Sequence, residues 1–190
     1  MKKAILLIGF QNDYFARDGI LREVVEESSV RSNIIENTVN LIRKDDDTLF
    51  ISTPILFSEN YSELEDPVGI LKVIKEKGAF KKGTPGAETI DEIKQFGDKV
   101  LEVPGKIGLN AFAKTQLFEV LKKNEITDVY LAGTVASVCI DSTGRSAYDH
   151  GFKVSVIADC ISGRTIFEKD YYVENVFPLY AQVVQSKELN

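Results

Sequence analysis

Short apolar runs recur along the chain and predict buried strands. In chain order they are Ala4–Ile8, Thr48–Ser52, Lys99–Val103, Asp128–Ala132, Lys153–Ile157 and a final shorter stretch, Ala181–Val184. Most are rich in β-branched residues or leucine and do not alternate with polar residues, which is typical of strands covered on both faces. The pattern therefore predicts a buried sheet of about six strands.

Between these runs, apolar residues recur with the spacing of amphipathic helices. The helical segments are Ser32–Arg43, Pro67–Lys77, Ala111–Lys123 and Cys139–His150, the last of which ends at Gly151. Alternation of strands and helices predicts βαβ units and hence a three-layer α/β/α, Rossmann-like sandwich with a mostly parallel sheet. Because no linker or internal repeat interrupts residues 1–190, we expect a single domain.

Composition narrows the chemistry that is open to this fold. The 190 residues carry a formal net charge of −6, with one His and two Cys. An acidic chain is a poor nucleic-acid partner, and a single His excludes a metal site that needs two imidazoles. Two Cys do not make a disulfide framework, and the apolar N-terminal run is too short for a membrane span or an export signal. We expect a cytoplasmic protein with free thiols, no membrane partner, no metal and no cofactor.

Cys139 occupies a position that suits a nucleophile. It follows a predicted strand through a six-residue loop that starts at Gly133, and we expect it to open the next helix. The free N–H groups and the dipole of a helix start stabilise a thiolate and could bind an oxyanion. Position alone leaves open a second interpretation, a buried structural cysteine, which is the one we favour for Cys160.

Four motifs, in order along the chain, resemble those of isochorismatase-like cysteine hydrolases. They are Gln11-Asn12-Asp13-Tyr14; Gly83-Thr84-Pro85-Gly86-Ala87-Glu88; Lys106, Asn110, Ala111, Phe112, Thr115 and Leu117; and Gly133, Cys139, Ile140, Thr143, Ala147, Gly151 and Phe152. Each motif alone is weak, but together they cover nearly the whole chain. The resemblance implies the isochorismatase-like hydrolase fold and hydrolysis of small-molecule amides.

The resemblance also implies residue roles. In the family a Cys, a Lys and an Asp form the catalytic triad; by motif, Cys139 is the nucleophile and Lys106 is the cation that stabilises its thiolate. The family's oxyanion hole maps to the backbone N–H groups of Cys139 and Val135, beside a Thr134–Val135 bond that we expect to be cis.

The third member of the triad is missing from this sequence. The family's aspartate, which takes the thiol proton and passes it to the leaving amine, falls at position 9, where this chain has Gly9. Asp13, four residues later, is a candidate replacement. Its other interpretation is a turn or capping aspartate common to the family.

Two activities of the wider family fit this sequence poorly. The branch that cleaves the vinyl ether of isochorismate keeps the Asp and lacks the Cys, which is the opposite of the pattern here. Nicotinamidase-like members carry metal-binding histidines after the second strand, whereas residues 52–58 contain none. We expect His150, at the predicted helix end, to be a surface residue.

Three functions stay open at this point. The first is a cysteine hydrolase that cleaves a small-molecule amide or related acyl C–N bond through a Cys139 thioester. The second is a catalytically impaired member that serves as a small-molecule binding or regulatory module, because Gly9 replaces the Asp. The third is a sensor in which Cys139 is reversibly oxidised. The resemblance also implies a homo-oligomer.

Overall fold

The computed structural model describes residues 2–189 and contains a single six-stranded sheet. Its strands are β1 (Lys3–Ile8), β2 (Leu49–Thr53), β3 (Val100–Glu102), β4 (Asp128–Thr134), β5 (Lys153–Ser162) and β6 (Gln182–Val184). Every neighbouring pair is parallel, and the strand order is 3-2-1-4-5-6. The parallel sheet of about six strands that the apolar runs predicted is confirmed.

Helices cover both faces of the sheet. They are α1 (Asn12–Phe15), α2 (Arg22–Ser32), α3 (Ile34–Lys44), α4 (Gly69–Lys77), α5 (Asp91–Lys94), α6 (Leu117–Lys123), α7 (Asp141–Asp149) and α8 (Ile166–Tyr171). Ile5 and Leu7 of β1 pack with α3 and α5, whereas Leu6 and Ile8 pack with α6 and α7. Successive residues of β1 therefore bury opposite faces, which explains its uninterrupted apolar sequence.

Several predicted boundaries were wrong. The helix predicted from Ala111 begins at Leu117, because the Thr115 hydroxyl donates to the Ala111 carbonyl (2.6 Å) and local side-chain bonds of this kind compete with helix formation. The loop predicted before Cys139 is absent: β4 continues to Thr134, and a π-helical turn, Ala136–Ile140, leads directly into α7. Cys139 therefore lies inside a helical segment rather than at its opening.

The end of β5 and four further helices also differ from the prediction. β5 continues to Ser162, so that Cys160 lies within the strand and not after it. Helices α1, α2, α5 and α8 were not predicted. Within residues 2–189, no helix has the length and apolar character to cross a membrane.

The sheet places one pair of strand ends where ligands of such folds bind. The order reverses between β1 and β4, and in open α/β sheets the crevice beyond the carboxyl ends at this point is the usual ligand site. Gly133 is required here, because it has a φ of 120° and a Cβ atom would collide with the Ile8 carbonyl. The close approach sets Gly9 beside Thr134 at the mouth of the crevice.

Candidate active site

Cys139 and Lys106 meet in the crevice at the ends of β1 and β4. The Lys106 side chain is completely buried, and its Nζ lies 3.3 Å from the Cys139 Sγ atom. Nζ also donates to the carbonyl of Gly108 at 2.5 Å. None of the ion pairs among residues 2–189 includes Lys106. Of its two hydrogen-bond partners, the thiol is therefore the one that can become negative and balance a buried ammonium.

The loop that carries Lys106 is fixed by backbone and side-chain contacts. The amide of Leu56 donates to the Lys106 carbonyl at 3.1 Å. The amide of Ala111 donates to Thr143 Oγ1 of α7, also at 3.1 Å, and so ties the lysine loop to the helix that follows the nucleophile. The third and fourth motifs are thus joined to each other by these contacts.

A sharp turn joins β4 to the segment that carries Cys139. The Thr134–Val135 peptide bond is cis. The Val135 carbonyl then accepts the amides of Val138 (3.0 Å) and Ile140 (3.1 Å). This turn brings Val135 and Cys139 to the wall of one cavity, which Lys106 also lines.

Gly9 has a backbone conformation that disfavours any side chain. Its φ is 73°, in the left-handed region, and a Cβ atom would lie 2.9 Å from the Thr134 carbonyl oxygen and 3.5 Å from Cε2 of Tyr14. The site therefore lacks a carboxylate at position 9, and its backbone does not readily accommodate one.

We predict that Gly9→Asp lowers the free energy of unfolding by roughly 1–3 kcal/mol, because the substitution forces a strained φ and crowds a backbone oxygen. Gly9→Ala should lower the free energy of unfolding by a similar amount, because the crowding already involves the Cβ atom. Gly97→Asp is the matched control: Gly97 has a φ of 50°, and a Cβ there would meet nothing within 4 Å. Urea unfolding measures all three, and a Gly9→Asp cost no larger than that of Gly97→Asp would refute the crowding argument.

Asp13 lies in a different set of contacts from the Cys139–Lys106 pair. Its Oδ2 accepts the amide of Phe80 at 2.6 Å, and its carboxylate fills space that a side chain at Gly86 would need. Among residues 2–189, no hydrogen bond joins Asp13 to Lys106 or Cys139. We therefore propose that Asp13 braces the segment around Phe80 rather than moving a proton.

Gln11 and Asn12, which precede Asp13 in the first motif, also hold other segments of the chain in place through side-chain hydrogen bonds. The Gln11 side chain donates to the carbonyls of Ile55 (2.8 Å) and Ala87 (2.7 Å) and accepts the amide of Ile55 (2.8 Å). The Asn12 side chain donates to the Pro85 carbonyl at 2.8 Å. The first motif and the segment 83–88 thus hold each other at the edge of the crevice.

Tyr14 belongs to the site although the sequence analysis gave it no role. Its side chain is buried and lines the cavity with Lys106 and Cys139. Burial raises the pKa of Tyr14 well above its usual value, and the negative charges of Cys139 and Asp13 raise it further, so that the phenol is neutral and can donate a hydrogen bond. A tyrosine after a strand end looks like a core residue in sequence, so only the fold identifies it.

The remaining candidates lie outside the crevice. His150 is exposed at the end of α7 and packs on the rings of Phe112 and Phe118, with centroids 5.1 and 4.7 Å away. Burial, followed by the charge of Asp159, raises the pKa of Cys160 to about 12. Within the described residues 2–189, no three His, Cys, Asp or Glu side chains are grouped as metal ligands would be.

Comparison with known proteins assigns the family. Residues 3–188 match the family model described as the isochorismatase domain. The chain is 27% identical over 159 residues to Nicotinamidase 3 of Arabidopsis thaliana, an alignment that covers 82% of this chain and 71% of the relative.

Solved structures agree on the fold. An isochorismatase-like hydrolase from Alkaliphilus metalliredigens superposes with a TM-score of 0.80 at 22% identity, covering 100% of this chain and 97% of the other. A cysteine hydrolase from Pseudomonas syringae pv. phaseolicola gives a TM-score of 0.86 at 15% identity, covering 99% and 90%. With the family model spanning nearly every residue and the fold shared throughout, this chain belongs to the isochorismatase family.

Proposed function

We propose that this protein is a cysteine hydrolase that cleaves a small-molecule amide or a related acyl C–N bond through a Cys139 thioester. The observation that carries the proposal is the 3.3 Å contact between the Cys139 thiol and the fully buried Lys106. A cation beside a thiol favours the thiolate, which is the nucleophilic form. The name of the Arabidopsis relative, a nicotinamidase, supports an amide as the substrate class.

In the proposed first step the Cys139 thiolate attacks the carbonyl carbon, and the C=O electron pair moves to oxygen. The backbone N–H groups of Val135 and Cys139 are the proposed donors to this oxyanion. As the oxyanion collapses, the C–N bond breaks and the leaving nitrogen takes a proton from the Lys106 ammonium. The products are an amine and a thioester on Cys139.

In the second step, water attacks the thioester and gives a proton to the neutral Lys106 amine. The C–S bond breaks, the carboxylic acid leaves and Cys139 returns as a thiolate beside the protonated lysine. Lys106 thereby performs the proton transfers that the resemblance assigns to the missing aspartate, and no carboxylate at position 9 is needed.

The thioester can be trapped directly. We expect brief incubation with a panel of activated amides and esters, followed by an acid quench, to add the mass of the acyl group to the peptide that contains Cys139. Cys160 is an internal control, because its raised pKa of about 12 leaves almost no thiolate at neutral pH. Acylation of Cys160 instead, or turnover of the panel without any adduct on Cys139, would contradict the proposed route.

The second candidate, a small-molecule binding or regulatory module, is favoured by one observation. Gly9 supplies no acid–base group, and its left-handed backbone does not readily accept one. Such a module would bind amides that protect Cys139 from alkylation, yet it would form no adduct and release no product. The trapping experiment therefore separates the two candidates.

Homo-oligomerisation stays a prediction. Light scattering that gives only the mass of one chain, 21.2 kDa, would contradict it.

A further inference from the structure

The cavity beside Cys139 has a wall of hydrocarbon side chains. Those that line it come from four parts of the chain: Ile55, Ile70, Leu71, Ile74, Leu109 and Val138. Lys106 is the one cationic side chain among the lining residues within 2–189, and its ammonium already faces the Cys139 sulfur. The Tyr14 phenol also lines the cavity but is neutral, so a charged group on a ligand would lose its hydration without gaining a free partner of opposite charge.

The cavity is also narrow. Its open volume is about 10 Å³, which is room for about one water molecule. An acyl group can enter only if the residues of the wall move apart, and each added atom of the acyl group requires a larger movement of those residues. Helix α4 supplies Ile70, Leu71 and Ile74 to this wall. It begins at Gly69 and is followed by Gly78, and both glycines have left-handed backbone.

We propose that this cavity is an acyl-group site that selects compact, uncharged, apolar groups and rejects anionic ones. As a statement about the substrate it rests on the proposed function, because only a hydrolase would transfer the bound acyl group to Cys139. As a statement about binding it can be tested whether or not turnover occurs.

The test measures how amides protect Cys139 from alkylation by iodoacetamide. Three amides serve as probes: benzamide, 4-methylbenzamide and 4-carbamoylbenzoate, in the last of which a carboxylate replaces the methyl group. Because the carboxylate is also larger, the Leu71→Arg variant is used to separate the effect of charge from that of size. We expect the two neutral amides to protect at concentrations at least roughly tenfold lower than the carboxylate does. Peptide mass spectrometry restricts the readout to Cys139.

A charge placed in the wall should reverse this preference. Leu71 is partly exposed, so that Leu71→Arg can place a guanidinium at the cavity without filling it, and we expect that variant to improve protection by the carboxylate relative to 4-methylbenzamide. Leu101→Arg is the matched control, because Leu101 is an exposed leucine of β3 that does not line the cavity, and it should leave the order unchanged.

The outcomes separate the two proposals. Equal protection by the carboxylate and 4-methylbenzamide, or no protection by any amide, overturns the inference about the cavity. Preferential protection by neutral amides without turnover or adduct supports that inference and overturns the hydrolase.

Discussion

Cys139→Ala is expected to lower amide hydrolysis by at least about 10,000-fold, because no other group in the crevice can form the covalent intermediate. Cys139 is only 4% exposed, and its sulfur is the atom that faces the Lys106 ammonium. Initial rates on the best substrate of the amide panel measure the loss, and the acyl adduct should vanish with it.

The second cysteine provides the control. Cys160 is completely buried in β5, and its raised pKa keeps it protonated, so Cys160→Ala should keep hydrolysis within a few-fold and lower only stability. A Cys139→Ala enzyme that keeps its rate would show that the thiol is not the nucleophile, and the thioester mechanism would fall.

Lys106→Met is expected to slow alkylation of Cys139 at neutral pH by roughly 10- to 1,000-fold, and to slow hydrolysis further because the proton donor to the leaving nitrogen is also lost. For alkylation the reason is the Lys106 Nζ atom 3.3 Å from the sulfur, because a cation beside a thiol favours the thiolate, which is the reactive form. Methionine fills much of the same volume without the charge. Stopped-flow alkylation measures the thiolate directly and needs no substrate.

The fold should tolerate this change. Removing one partner of a buried ion pair is costly when it strands a charge, but here the Cys139 thiolate can take up a proton and become neutral. The Gly108 carbonyl loses its donor, so we expect Lys106→Met to lower the free energy of unfolding by about 1–3 kcal/mol, without the larger cost of a stranded charge. Unchanged alkylation in a well-folded variant would refute the thiolate–ammonium pair.

The sequence predicted the sheet well because the physical signal is local. Each strand is an apolar run buried on both faces, as β1 shows, and runs of this kind are visible without tertiary information. Helix α2 was missed for the corresponding reason: it buries Ser28 and Ser29 together with Val25, and so lacks the apolar stripe that identifies an amphipathic helix.

The site was predictable only in part. The family motifs point to Cys139 and Lys106, and the fold places these side chains 3.3 Å apart. The start of the helical segment at Ala136, the contribution of α4 to the cavity wall and the place of Tyr14 beside Gly9 depend on how distant segments meet. No single stretch of sequence contains that information.

The left-handed backbone at Gly9 has an evolutionary consequence. The family resemblance implies that relatives carry aspartate at this position, yet a mutation that restored it here would first meet the carbonyl oxygen and the Cγ2 atom of Thr134. Such a mutation would therefore lower the stability of the protein before it could improve proton transfer. A return to the three-residue site would therefore need a shift of the backbone around Thr134 as well as the aspartate itself.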